Sequence, residues 1–275
     1  MPRKKLGQHF LIKGSILERI AAAACPVPAD LVIEIGPGRG ALTEKLLKRA
    51  ARVIALEIDP YLAAHVRQRF AGDPRLEVVE GDVLATDLSQ WGPAAIAGNL
   101  PYYITSPILE RTARRNFTRA VFLIQREVAQ RLVAGPGTRD YGFLTVQTAL
   151  FASVRRLFDV KPSAFHPPPK VDSSVVLLEP RHADLGIADA DAFVGFIGRC
   201  FHHKRKTIRN NLVETYGKEA IDRWPEAALR AEQISLEGFA EMYRRLPLSP
   251  YQRLNDQHDG EANRRGNHLH RGPRP

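Results

Sequence analysis

Along the first 150 residues, short apolar runs alternate with amphipathic stretches. "LVIEI" (31–35), "RVIALEI" (52–58), "LEVVEGD" (76–82), "AAIAGN" (94–99) and "AVFLIQ" (120–125) have the continuous Val/Ile-rich character of strands buried on both faces. Before and between them, "SILERIAAAA" (15–24), "ALTEKLLKRA" (41–50), "PYLAAHVRQRF" (60–70), "SPILERTAR" (106–114) and "REVAQRLV" (126–133) carry apolar residues at helical spacing. Ser15, with Glu18 three residues on, has the form of an N-cap, and Pro26 and Pro28 end that first helix. Strand–helix alternation of this kind predicts a parallel sheet covered on both faces, a doubly wound, Rossmann-like α/β domain.

The pattern changes after about residue 150. "ASVRRLFDV" (152–160) and "VDSSVVLLEP" (171–180) have no helix between them, only the proline-rich "KPSAFHPPPK", so an antiparallel pair closing the sheet edge is expected. Residues 190–217, 225–235 and 236–246 have helical patterning, which predicts a small C-terminal all-helical domain. The expected division is an α/β domain over 1–182, a helical domain over 183–250 and a disordered basic tail over 251–275.

Charge adds a class of partner. The 275 residues include 40 Lys and Arg against 30 Asp and Glu, a formal net charge of +10. Nucleic acid is the leading partner for such a surplus, ahead of an acidic membrane surface. Cys25 and Cys200 stand far apart with no His or Cys at metal-ligand spacing, so neither a disulfide framework nor a metal site is expected. The N-terminus lacks the apolar run of a signal peptide, and no segment approaches the roughly 18 apolar residues of a membrane helix. A cytoplasmic protein is the expectation.

The strand ends hold the candidate chemistry. Gly36, Gly38 and Ala41 fit G-x-G-x-x-A between a strand and a helix, and Glu57 ends the next strand where a carboxylate can accept both ribose hydroxyls. NAD and S-adenosylmethionine both fit that pattern. Glu34 inside the first strand, Pro37 in the turn and Asp82 after the third strand favour a cationic sulfonium over an anionic pyrophosphate. A Gly-Asp turn is the plainer account of Asp82 taken alone.

At the fourth strand end stands Asn99-Leu100-Pro101-Tyr102. Asn99 and the Leu100 carbonyl can accept from an exocyclic amine, Pro101 stiffens the loop, and Tyr102 offers a flat face for a base. That arrangement suits the amino group of adenine, methylated by positioning and without a general base. A simple Asn/Pro turn is the competing account.

Eight segments carry a family resemblance: "GQHFL", "VIEIGPGRGALTEKLL", "VIALEID", "EGDVL", "GNLPYYITSPIL", "REVAQRLVAGPGTRDYG", "PSAFHPPPKVDSSVV" and "FHHKRKTIRNNL". Together, in order over residues 4–245, they resemble the small-subunit ribosomal RNA adenine N6,N6-dimethyltransferases, whose loss gives kasugamycin resistance. The resemblance implies a class I methyltransferase sheet and S-adenosylmethionine as consumed methyl donor. It also implies dimethylation of two adjacent adenosines in a hairpin loop near the 3′ end of small-subunit rRNA, during assembly of the 30S particle, by a monomer.

Residue by residue, the resemblance puts cofactor contacts on His9, Leu11, Gly36, Gly38, Glu57, Asp82 and Asn99. The target-amine pocket falls on Asn99, Leu100, Pro101 and Tyr102, with Phe165 as a second aromatic sandwiching an extruded base in an exposed loop. Position 9 is often asparagine in the family, which leaves open whether His9 acts through its side chain or its backbone. Tyr103 stands where some members carry Asn, and packing beneath the pocket is its expected role. Lys204, Arg205, Lys206 and Arg209 form a one-signed run suited to phosphates, with a solvated helix face as the plainer account. The rival functions are the macrolide-resistance large-subunit methyltransferase, which usually has Ile at the Leu100 position, a nicotinamide dehydrogenase, and a non-catalytic RNA-binding assembly factor.

Overall fold

Nine strands and ten α-helices are built from these segments in a computed structural model that describes residues 9–115, 117–181 and 185–246. In chain order they are β1 (Phe10–Leu11), α1 (Gly14–Ala24), β2 (Ala29–Ile35), α2 (Ala41–Leu46), β3 (Ala50–Glu57), α3 (Pro60–Arg69) and β4 (Leu76–Glu80). Next come β5 (Ala94–Asn99), α4 (Thr105–Ala113), β6 (Phe117–Gln125), α5 (Arg126–Leu132), α6 (Phe143–Phe151), β7 (Ala152–Val160), β8 (Phe165–His166) and β9 (Ser173–Pro180). The C-terminal helices are α7 (Ala190–Cys200), α8 (Ile208–Tyr216), α9 (Lys218–Ile221) and α10 (Leu236–Arg244).

Seven strands form one sheet in the order β4-β3-β2-β5-β6-β9-β7. The first five are parallel, and β9 pairs antiparallel with both β6 and β7, so the expected antiparallel edge is present with its later strand on the inside. The continuous apolar character of the strands follows from burial on both faces. In β6, Val121 and Leu123 enter one core with Leu17, Ile20 and Leu46, while Phe122 and Ile124 enter the opposite core with Ile108 and Leu109. The strand order reverses between β2 and β5, and open α/β sheets bind ligands beyond the carboxyl ends of strands at such a point.

Several sequence expectations change. The first helix starts at Gly14 behind Lys13, with no side-chain cap, and Ser15 lies inside its first turn. Glu18 pairs instead with Arg49 at 2.7 Å, so the apparent capping box is a tertiary contact. Residues 225–235 form only two 3₁₀ turns, Pro225–Ala228 and Ala231–Gln233. The stretch 190–217 is two helices separated by residues 201–207, and α8 restarts where the Thr207 hydroxyl accepts from the Asn210 N–H.

The helical region has its own core of Phe193, Phe196, Ile197, Leu212, Trp224, Phe239 and Met242. Tyr141 and Val146 also belong to that core, and the Tyr141 hydroxyl donates to the Ile234 carbonyl at 2.8 Å. The expected boundary at 182/183 and the tail over 251–275 lie outside the described residues. Among the described residues no helix is long and apolar enough to cross a membrane.

Candidate functional site

The ends of β2, β3 and β5 and the turn after β4 open into one cavity of about 350 Å³. Its wall includes Gly36 and Gly38 after β2, Glu57 at the end of β3, Asp82 after β4 and Asn99 to Tyr103 after β5, with His9 to Ile12 along one side. The glycine turn is shaped by backbone demands. Gly38 has φ +56°, and a Cβ there would stand 3.1 Å from the Phe10 ring, so glycine lets β1 fold down onto the turn. Its N–H donates to Glu57 Oε2 at 3.0 Å, while Glu57 Oε1 accepts from the Asp59 N–H at 3.0 Å. Burial pushes the Glu57 carboxyl up, and these backbone donors pull it back towards the charged form.

Glu34 sits deeper, 1% exposed, and accepts from the Thr43 hydroxyl at 2.5 Å. Burial pushes its carboxyl up to about 8, the Thr43 bond opposes this, and the Glu57 charge adds to it. The expectation of three acids facing a cation therefore changes: at neutral pH Glu34 is protonated and adds no charge there. Asp82 does make the turn expected of a Gly-Asp pair, its Oδ1 accepting from the Leu84 N–H at 2.8 Å, and it also lines the cavity.

At the end of β5, Gly98 admits no side chain, because a Cβ would stand 2.6 Å from the Ile35 carbonyl oxygen of the neighbouring strand. The next residue, Asn99, is thereby held against β2. Asn99 Nδ2 donates to the His9 carbonyl at 2.9 Å. A carbonyl only accepts, so this bond fixes the amide orientation and leaves Oδ1 as the available acceptor. His9 thus acts on Asn99 through its backbone. Its Nδ1 is 2.8 Å from the Pro167 carbonyl and must carry a proton there.

Leu100 is buried, with its N–H donating to the Leu123 carbonyl at 3.0 Å. The Pro101 carbonyl accepts from the Thr105 hydroxyl at 3.0 Å. Tyr102 is half-buried, and its hydroxyl lies 2.9 Å from Ser173 Oγ. The Tyr102 ring centroid lies 5.8 Å from that of His9 at a 32° tilt. Burial pushes the Tyr102 phenol up, so it stays neutral and hydrogen-bonding.

Two aromatic expectations are corrected. Phe165 is 3% exposed and packs in the core with Leu17 and Val175; it is not in an exposed loop and does not line the cavity. The cause is β1–β8 pairing: Leu11 lies opposite Phe165, which turns Phe165 inward and leaves its neighbour His166 on the cavity wall. Tyr103 does not pack beneath the pocket but lies exposed on its wall. Sequence reasoning passed over His166, Ser173 and Tyr103 as site residues. The serine ending "PKVDS" was a visible signal, but nothing in the sequence paired it with Tyr102.

Three of the four residues of the basic run are off any helix, and only Arg209 lies in one, in the first turn of α8. Lys204, Arg205 and Lys206 are exposed in the connection between α7 and α8, and none is in an ion pair among the described residues. Lys204 Nζ reaches the Arg139 carbonyl at 3.4 Å, which brings the loop before α6 alongside. Arg209 stands apart from this group, its Nε 2.6 Å from Asp222 in an ion pair, and so is not a free cation. Among the described residues no cluster of three or more His, Cys, Asp or Glu side chains is placed to hold a metal ion.

Comparison with known proteins points the same way. A family model described as ribosomal RNA adenine dimethylase matches residues 2–246. The ribosomal RNA small subunit methyltransferase A of Acidobacterium capsulatum is 44% identical over 258 residues, covering 89% of this chain and 91% of that protein. A solved dimethyladenosine transferase from Plasmodium falciparum superposes with a TM-score of 0.72 at 30% identity, covering 85% of this chain and 96% of the other. The 23S rRNA methyltransferase ErmE superposes with a TM-score of 0.67 at 30% identity, over 86% and 99% of the two chains.

Proposed function

Because the chain belongs to the ribosomal RNA adenine dimethylase family, we propose that it uses S-adenosylmethionine to dimethylate N6 of two adjacent adenosines in small-subunit rRNA. The target pair lies in the loop of a hairpin near the 3′ end of 16S rRNA, and the enzyme acts in the cytoplasm, as a monomer, on an assembling 30S particle. The observation that carries this reading is the oriented amide of Asn99: its Nδ2 is committed to the His9 carbonyl, and its Oδ1 remains as an acceptor in the cavity that also holds Glu57.

S-adenosylmethionine supplies the electrophilic methyl group. Glu57 is suited to its ribose hydroxyls, the Gly36–Gly38 turn to its close approach, and Asp82 to the adenine amine, with His9 and Leu11 along the side. Asn99 Oδ1 and the Leu100 carbonyl accept from the two N–H bonds of the target amine and so aim its lone pair. Tyr102 covers the base. No side chain need take a proton first, because the amine becomes acidic only once it carries the new methyl.

Residues 1–182 are the catalytic domain in this reading, and 183–250 present the rRNA contacts, with Lys204, Arg205 and Lys206 facing phosphates. The decisive experiment is transfer of labelled methyl from S-adenosylmethionine to purified subunits of cells lacking the modification. Label is expected in 16S rRNA, at four methyls per small subunit. Label in 23S rRNA alone would assign the chain to the large-subunit reaction, to which the superposition on ErmE also points.

A further inference from the structure

Tyr102 and Tyr103 are adjacent and opposite in situation. Both lie in the single 3₁₀ turn Tyr102–Ile104 after Pro101, where successive side chains diverge by about a third of a turn. Tyr102 is pinned by Ser173 and His9. Tyr103 is 60% exposed although it lines the same cavity as Asn99. Among the described residues its side chain has no hydrogen bond, ion pair or ring contact, while that of Tyr102 beside it has two such contacts.

A large flat side chain left in water at the mouth of a base-sized cavity gains free energy when another flat group covers it. If a base is extruded to reach Asn99, its neighbour in the strand is held one phosphodiester away, outside the cavity, and has lost its stacking partner. An unpaired base stacks on an aromatic face irrespective of its hydrogen-bonding edge. The second aromatic expected from the sequence, Phe165, is buried in the core, and Tyr103 and the smaller His166 imidazole are exposed flat side chains on the cavity wall, of which Tyr103 directly follows the Asn99–Tyr102 segment.

We propose that Tyr103 stacks on the nucleobase adjoining the target adenosine, and thereby holds the extruded target in register at Asn99. This rests on the adenosine-methylating reading of the cavity and adds a specificity-determining residue to it. Tyr103 touches the waiting base, not the reacting amine. Its contribution falls on KM for RNA. When one adenosine of the pair is the target, the adjoining base is the other.

The test is steady-state methylation of small subunits reconstituted with 16S rRNA that is intact or has an abasic ribose in place of the adjoining adenosine. Tyr103→Ala is expected to raise KM for intact subunits about tenfold, the size of one base–aromatic stack. Tyr103→Phe, which keeps the flat face, restores the wild-type KM. The abasic subunit raises the wild-type KM by a similar factor, and combining it with Tyr103→Ala adds nothing further. Multiplying losses, or an unchanged KM for Tyr103→Ala, would overturn the proposal. The abasic substrate tests the same stack in the unmodified protein, independent of how any variant folds. Wild-type protein that fails to methylate intact subunits would count against the methylation reading itself, a distinguishable result.

Discussion

The hydroxyls of Tyr102 and Ser173 lie 2.9 Å apart, joining the loop after β5 to the first residue of β9. Ser173 is 0% exposed and stands between Gln125 of β6 and Val160 of β7 in the sheet. A rigid strand thus holds the ring expected to cover the target base. Ser173→Ala should lower Tm by about 2–4 °C, as expected for loss of one hydrogen bond worth about 1 kcal/mol in a chain of this size. Methylation should fall about tenfold with S-adenosylmethionine affinity unchanged, and Ser173→Thr should recover much of the loss. Equal losses in cofactor affinity, read by calorimetry, would show a general collapse of the site instead.

Removing the Asn99 side chain takes away the acceptor that is oriented by the His9 carbonyl. Asn99→Ala is expected to lower turnover by about 10²–10³-fold, the size of one aimed interaction, while RNA binding in a filter assay changes by less than threefold. Unimpaired turnover would refute the assignment of this residue to the target amine.

Gly98→Ala places a methyl group 2.6 Å from the Ile35 carbonyl oxygen, in the backbone of a central strand that has no room to yield. The cost is about 1–3 kcal/mol of stability, from overpacking. Since Asn99 follows directly, methylation should drop in parallel, and a thermal melt with an activity assay reads both. A variant with wild-type Tm and rate would show that β5 and β2 separate more easily than their pairing indicates.

Glu34 titrates near 8 in the folded chain, against 4.5 for an ordinary glutamate. Between those values the unfolded chain releases this proton while the folded chain keeps it, so Glu34 makes stability fall as pH rises from about 4.5 to about 8, and level off above. Glu34→Gln stays neutral in both states and still accepts from the Thr43 hydroxyl. The variant should therefore gain on wild type steadily from pH 5 to pH 8 in Tm measurements. Parallel curves across that range would mean that Glu34 is ionised in the folded protein.

Lys204, Arg205 and Lys206 are exposed and without ion pairs among the described residues, whereas Arg209 is held by Asp222. The triple substitution to Ala should weaken rRNA binding and reduce the slope of log K against log salt by about 2–3, or about 0.7–0.9 for each lost phosphate contact. Arg209→Ala should leave that slope unchanged and act on stability alone. An unaltered slope in the triple variant would return the run to the role of a solvated surface.

The sheet and the residues along its carboxyl edge were legible in the sequence because both are written in local pattern. Continuous apolar runs mark strands buried on two faces, and the ligand-facing residues of such a sheet fall where those runs stop. Gly36, Gly38, Glu57, Asp82 and Asn99 could all be placed in this way, and the structure brings them to one cavity. Helix α6 was missed because "FLTVQTALF" is apolar on nearly every side, rich in β-branched and aromatic residues, and buried between the sheet and the helical region.

Contacts between distant segments have no such local trace, and these decided the inner geometry of the site. Pairing of β1 with β8, across more than 150 residues, turned Phe165 into the core and His166 towards the cavity. The same closure brought the His9 carbonyl to Asn99, and the placing of β9 between β6 and β7 brought Ser173 to Tyr102. Lys204, Arg205 and Lys206 kept their exposure but not a helix, while Arg209, on α8, is paired with an acid 13 residues away. Sequence alone determined which residue types stand at the strand ends, since strand and helix periodicity is local. Only the tertiary structure decided which of their atoms are committed and which remain free, because that depends on partners the chain meets only after folding.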